Sequence, residues 1–398
     1  MSASVPVIRS GRVEEIAPTV EAALRAESRV RLATISLILY LLAQGLYGVT
    51  WDIQWHGSIG RDSFWTPPHI FIYSSTGIAG LICLAAVLWE TRRFRKGDPA
   101  VTRDNTTGFL LFRAPLAFYV IGVGMAIMVL AAPFDNYWHE LYGIDASLWS
   151  PFHVMGMIGS FIGALGVIYG FASEFNRARI ERRQLRLGLG WPGVGMILGF
   201  FGMLGLALIN VLSAGYTERL WGIGPITLAN WPLIMAAAVP LTLVGGLVAT
   251  GRAGVATAIG TIYTLWLLIF SNSVVPLVDL VVHLQNLSYR AQEGRQYSYI
   301  EYVSPLLIPF VGLIIDAAWQ LTRHRPQWRV GALVLASALG VGALVLAERP
   351  WMINLIVTTT YPDYWPIFWT TLPFVLLLAA FSGWAGTWWG RLVRSITG

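Results

Sequence analysis

Charge is scarce in this chain, and so are the residue types that most often cross-link or chelate. Of 398 residues only 12% are Asp, Glu, Lys or Arg, one is cysteine and six are histidine. A single cysteine excludes an internal disulfide and any Cys-rich zinc or iron–sulfur site. Cys83 lies in a long apolar run, where the expected role is that of a buried small hydrophobe. The chain is instead rich in apolar surface: 56% of its residues are hydrophobic and its mean hydropathy is +0.61. A water-soluble core cannot hide that much, so the chain reads as an all-α, polytopic integral membrane helix bundle in a lipid bilayer. Backbone groups in lipid must be paired within one segment, which makes every span a helix.

Ten runs are long enough to cross: residues 32–51, 67–90, 112–133, 151–174, 189–213, 226–249, 254–278, 304–322, 330–347 and 367–389. Lysine and arginine are distributed unevenly between the connections. The first segment, the loops near 91–113, 175–187, 250–253 and 323–329, and the C-terminal segment hold 22 of the 27. The alternate loops hold only Arg61, Arg219, Arg290, Arg295 and Arg349. The positive-inside rule then places both termini in the cytoplasm. The net charge of +6 follows from this topology and implies no nucleic-acid partner. Residues 1–31 mix five arginines with glutamates and have no apolar core, which predicts a short, partly helical cytoplasmic segment rather than a cleavable signal. The stretch 348–366, with Trp351, Tyr361 and Trp365, predicts an amphipathic loop at the outer interface.

The few histidines are clustered. Residues 51–69 read WDIQWHGSIGRDSFWTPPH, and residues 134–153 read FDNYWHELYGIDASLWSPFH. Asp, Trp, His, Gly, Asp, Trp, Pro and His return in the same order, and four of the six histidines fall in these passages. Asp52 and His56 are four apart, as are Asp135 and His139, so each pair shares one helix face. His69 and His153 follow just after prolines suited to the first turn of the next helix. Three candidate ligands thus converge, twice, from two antiparallel helices on the extracytoplasmic side. This predicts metal sites at Asp52, His56 and His69 and at Asp135, His139 and His153, within a duplicated helical-hairpin region, residues 32–175. Residues 176–398 supply further transmembrane helices without an assigned role.

Ionisable groups near lipid depth are costly, and a repeated pattern of them marks function. Arg61, Asp62, Glu140 and Asp145 are candidates for orienting a ligand imidazole. Asp279 and His283 echo the four-residue spacing but have no third ligand in sequence; an interfacial polar role is the plainer reading there. Asp316, inside the eighth run, is expected to pair with Arg323 or a neighbouring span. Two imidazoles and a carboxylate suit copper, zinc or non-haem iron, with positions left open for water or oxygen. The motifs contain no thiolate or thioether, which argues against a Cu(I) transport site; Met155 and Met157 are the nearest sulfurs.

The first motif, Asp52 and His56 followed by Arg61-Asp62 and Thr66-Pro67 with His69, resembles the metal-site signature of the C subunit of the particulate methane and ammonia monooxygenases, the copper membrane monooxygenases. The second motif resembles that family's second site in its wider spacing and in the proline two positions before the last histidine. There Asp135 stands where the family has Asn, which adds a negative charge. The resemblance covers roughly residues 30–175. It implies copper at both triplets, oxygen-dependent oxidation of a small apolar substrate, and partnership with other monooxygenase subunits or further copies of the chain. The implied setting is the bacterial plasma membrane. The alternative from a different class is a copper- or zinc-handling transport protein without oxygenase activity.

Overall fold

A computed structural model describes residues 6–9, 12–15, 18–60, 63–142, 150–180, 189–211, 220–289, 306–356 and 364–397. Ten α-helices carry the fold: α1 Pro18–Ser58, α2 Pro67–Arg95, α3 Leu116–Tyr142, α4 Pro151–Ile180, α5 Gly190–Leu206, α6 Asn230–Thr250, α7 Val255–Gln285, α8 Ile308–Leu321, α9 Arg329–Ile356 and α10 Tyr364–Ser395. Three short antiparallel hairpins accompany them: β1 Pro6–Arg9 with β2 Arg12–Glu15, β3 Thr107–Phe109 with β4 Phe112–Ala114, and β5 Leu220–Ile223 with β6 Ile226–Ala229.

Among the described residues, nine helices are long and apolar enough to cross a membrane. The eighth of the ten expected spans is shorter than its sequence suggests: α8 has 14 residues. At 1.5 Å per residue, that is about 21 Å against a hydrocarbon core of about 30 Å. Of two further boundaries, the first agrees with the partly helical N-terminal segment expected before residue 32 and the second differs. α1 begins at Pro18, well before residue 32, because proline opens a first turn containing Glu21 and the Glu21–Arg25 ion pair extends it at 2.5 Å. The interfacial loop expected from residue 348 is helical through Ile356 as the end of α9, and residues 357–363 lie outside the described part.

Helices in lipid gain nothing from hiding apolar surface from one another, so they associate where small residues allow backbone contact. α3 and α4 meet in this way. A Cβ on Gly124 would lie 2.5 Å from Gly163 N and 2.6 Å from Gly159 O, so only glycine permits this crossing. α6 is buried along nearly its whole length, against α5, α7 and α10. It ends on Gly251 at φ +68, and α7 starts after Gly254 at φ +88; both are left-handed positions that let the two helices join in a tight turn.

The two ends of the first hairpin are held by different chemistry. At one end, Trp51 and Trp55 of α1 and Ile59 just after it form a separate apolar cluster with Phe270, Val274, Val278, Val281 and Val282 of α7. Tyr47 adds a hydroxyl contact to Ser273 at 3.3 Å. At the opposite end, Arg31 is 2% exposed and forms a two-pronged ion pair with Glu90 of α2, at 2.6 and 2.8 Å, and a 3.2 Å contact with Glu27. Arg93 bridges Glu27 and Asp98, while Ser28 donates to Glu174 of α4 at 2.5 Å. This buried ionic cluster ties α1, α2 and α4 together on the side away from the histidine motifs.

Asp316 accepts the Thr257 backbone N–H at 2.8 Å and its hydroxyl at 2.6 Å, so its partner is the neighbouring span α7 rather than Arg323.

Candidate metal centres

Lipid forces the chain into helices, and the helical repeat then aligns Asp52 with His56 in the last turns of α1. Thr66 is extended (φ −61, ψ 149), and Pro67 and Pro68 occupy the first turn of α2, which brings His69 back toward α1. The three side chains meet. Asp52 Oδ1 lies 3.5 Å from His56 Nε2 and 3.3 Å from His69 Nε2. His69 Nδ1 lies 2.9 Å from the Ser63 carbonyl oxygen, a contact in which the ring nitrogen must donate. That donation leaves Nε2 with its lone pair directed at the aspartate.

The second triad repeats the geometry between α3 and α4. Asp135 Oδ2 lies 3.3 Å from His139 Nε2 and 3.1 Å from His153 Nε2. Ser150 opens α4 in the place Thr66 holds before α2. Its hydroxyl accepts the His153 backbone N–H at 3.1 Å and donates to Asp135 Oδ1 at 3.4 Å. This helix cap also positions a ligand. Side-chain exposures in the two triads range from 12% to 22%, so each is partly shielded and reachable.

In both triads one ligand atom per residue lies within 4.8 Å of the others, and these are the two groups of three potential ligands among the described residues. Metal–ligand bonds of about 2.0–2.2 Å at tetrahedral or octahedral angles place neighbouring donors about 2.8–3.5 Å apart. The observed aspartate–imidazole separations of 3.1–3.5 Å fall within that range. Asp52 Oδ1 is buried and lacks a hydrogen-bond partner, as a ligand oxygen awaiting a cation would be. The donor sets therefore fit a small divalent or redox-active metal.

The surroundings differ. Beside the first triad, α7 covers Trp51, Trp55 and Ile59, which are 7%, 2% and 3% exposed. The corresponding residues of the second, Phe134 and Tyr142, are 51% and 61% exposed. Phe134 and Trp138 instead pack on Phe152 of α4, with ring centroids 5.5 and 6.0 Å away. An open hollow of about 660 Å³ lies between α1, α2 and α7, lined by Tyr47, Trp51, Trp65, Phe71 and Leu277 among others; no triad residue lines it.

The remaining sequence candidates are placed as follows. Glu140 is exposed and accepts from the Asn136 amide at 3.0 Å. Arg61, Asp62 and Asp145 lie outside the described residues. Asp279 accepts the Tyr289 hydroxyl and His283 is exposed; neither belongs to a three-ligand group. Two contacts that hold triad residues escaped sequence reasoning. Ser63 acts through its backbone and leaves no residue-type signal, whereas Ser150 shows one, a serine immediately before proline at a helix start. No family model, curated protein or solved structure matches the chain.

Proposed function

We propose that this chain is a membrane-embedded metalloprotein that holds one ion, copper in preference to zinc or iron, at each triad. We further propose that it serves oxygen-dependent oxidation of a small apolar substrate, as a copper membrane monooxygenase or its metal-bearing subunit. The observation that carries this reading is the double convergence of Asp, His and His across two helical hairpins, with aspartate–imidazole separations of 3.3–3.5 Å in the first and 3.1–3.3 Å in the second. The resemblance of both motifs to that family favours copper and an oxidase-type chemistry. In this reading the termini are cytoplasmic and the triads face the extracytoplasmic side of a bacterial plasma membrane.

Copper bound at such a site supplies reversible one-electron chemistry toward oxygen. The chain's own residues do the rest. Asp52 and Asp135 contribute the negative charge that holds a cation near lipid. The Ser63 carbonyl sets the His69 tautomer, and Ser150 orients Asp135. Trp51, Trp55 and the valines of α7 exclude water from one side of the first triad. The open hollow lined by Tyr47, Trp65, Phe71 and Trp51, the last next in sequence to Asp52, suits an apolar molecule arriving from the bilayer.

The test is metal content and oxygen uptake of the purified full chain. One equivalent per triad is expected, with His56→Ala and His139→Ala each losing one, and oxygen consumption coupled to an apolar substrate. Stoichiometric metal without oxygen consumption, even with other monooxygenase subunits supplied, supports the metal-handling alternative. Absence of stoichiometric copper, zinc and iron overturns both.

A further inference from the structure

The β3–β4 hairpin presents four consecutive large apolar side chains to the outside. Phe109, Leu110, Leu111 and Phe112 are 59%, 85%, 76% and 36% exposed. Leu110 sits at φ 51, a left-handed conformation in which asparagine or glycine would make the turn more easily. In water, leucines at this turn would lose on both counts, backbone strain and exposed apolar surface. Inserted in lipid, the same side chains are buried.

The hairpin lies where insertion is possible. Thr91, in the last turns of α2, donates its hydroxyl to the Arg113 carbonyl at 3.2 Å and accepts the Arg113 N–H at 2.9 Å, so β4 runs along that helix end. Phe109 packs against Tyr119 in the first turn of α3, with ring centroids 5.8 Å apart. Arg95 donates to the Leu111 carbonyl at 2.8 Å and holds the tip at the α2 terminus. The hairpin therefore flanks the ends of two spanning helices at the bilayer margin, on the side away from the triads.

Charge at the same place complements the apolar tip. Arg93 is occupied by Glu27 and Asp98, and Arg113 lies over the Phe94 ring at 4.6 Å. Arg92, Arg95 and Lys96 remain exposed around the hairpin. Basic residues rimming an apolar insertion are the arrangement that recognises anionic headgroups over neutral ones.

We propose that the β3–β4 hairpin is an interfacial anchor: Phe109 to Phe112 enter the acyl region of the leaflet facing away from the triads, and Arg92, Arg95 and Lys96 hold the phosphate of an anionic phospholipid there. The inference is independent of the metal chemistry. Cys83 is 1% exposed and hydrogen-bonded to the Phe118 carbonyl, so a nitroxide can be placed selectively at Leu110→Cys or Leu111→Cys in the full chain. In vesicles of mixed phosphatidylcholine and phosphatidylglycerol, both labels should meet oxygen more readily than a water-soluble nickel relaxant. A label at Arg103→Cys, on the same loop, should show the reverse order. If the labels at 110 and 111 meet the nickel reagent as freely as the label at 103, the insertion is wrong. For the headgroup, the wild type should retain phosphatidylglycerol several-fold over phosphatidylcholine in native mass spectra. Arg92→Gln with Lys96→Gln, which leaves Arg95 on the hairpin tip, should cut that preference by about half or more, and an unchanged preference would overturn the assignment to these residues. Equal retention of the two lipids by the wild type overturns the headgroup assignment.

Discussion

The hydroxyl of Ser150 joins the two halves of the second triad: it donates to Asp135 Oδ1 at 3.4 Å and accepts the backbone N–H of His153 at 3.1 Å. Ser150→Ala removes both contacts. Partners that orient metal ligands are worth about 10- to 100-fold in affinity, and a lost helix cap costs about 1 kcal/mol. Isothermal titration with copper or zinc should show weakening at the second site with the first unchanged, and Ser150→Thr should restore it.

Removal of metal should lower thermal stability, by an amount that grows with the logarithm of free metal over the dissociation constant. A ligand present at a hundred times its dissociation constant stabilises the folded state by about 2.7 kcal/mol. Chelation should therefore lower the Tm of the wild type, measured in detergent. His56→Ala combined with His139→Ala should remove the response to chelator.

Arg31 is buried between Glu27 and Glu90. Arg31→Met leaves Glu90 without its cation and Glu27 with Arg93 alone, and breaking such a cluster from one side costs about 3–5 kcal/mol. A large loss of folded protein in size-exclusion chromatography is expected, and Arg31→Met with Glu90→Met should recover part of it.

Gly124 and Gly77 form a matched pair of tests. Gly124→Val forces a side chain into the backbone of α4, where Gly163 N and Gly159 O stand 2.5 and 2.6 Å from a Cβ and cannot rotate away. Overpacking of this kind costs about 1–3 kcal/mol or more, and it should disrupt both ligand pairs of the second triad. At Gly77 nothing lies within 4 Å, so Gly77→Ala should be tolerated or raise stability by about 0.5–1 kcal/mol. Thermal melts of the two variants check the contrast.

Asp98 offers a pH test outside the spans. The Ala100 backbone N–H at 2.9 Å and then the Arg93 guanidinium at 2.9 Å hold its carboxyl below the usual carboxylate range. A depressed folded value means that stability is present above the unfolded value, about 3.9, and is lost as pH falls through the folded one. Its partial exposure limits the effect to about 1 kcal/mol or less. Asp98→Asn should lower the Tm at pH 7, and the gap to the wild type should close in acid below about pH 4.

Much of the candidate site is legible in the linear chain. Spacing of four puts Asp52 and Asp135 beside His56 and His139 because the helix returns to one face every 3.6 residues. Proline before His69 and His153 marks where the next helix starts. The Ser63 carbonyl escapes such reading because every residue carries one, and only loop geometry selects which faces an imidazole. Helix ends were less legible than helix centres. Hydropathy marks where lipid lies, whereas α1 extends back to Pro18 on polar residues held by ion pairs.

By itself, the sequence determined that the chain is a bundle of apolar helices with two Asp-His-His patterns at the ends of adjacent spans. Continuous apolar runs of about 20 residues cross lipid as helices, and helical periodicity decides which near neighbours share a face. Only the tertiary structure decided which helices meet. α7 closes over Trp51 and Trp55 beside the first triad, while the equivalent face of α3 leaves Phe134 and Tyr142 exposed. The same holds for Arg31 finding Glu90, and for β4 lying against Thr91. Helices in lipid are not sorted by burial of apolar surface, so partner choice rests on close-fitting small residues and buried polar contacts. Those contacts join positions far apart in the chain, and no local pattern encodes them.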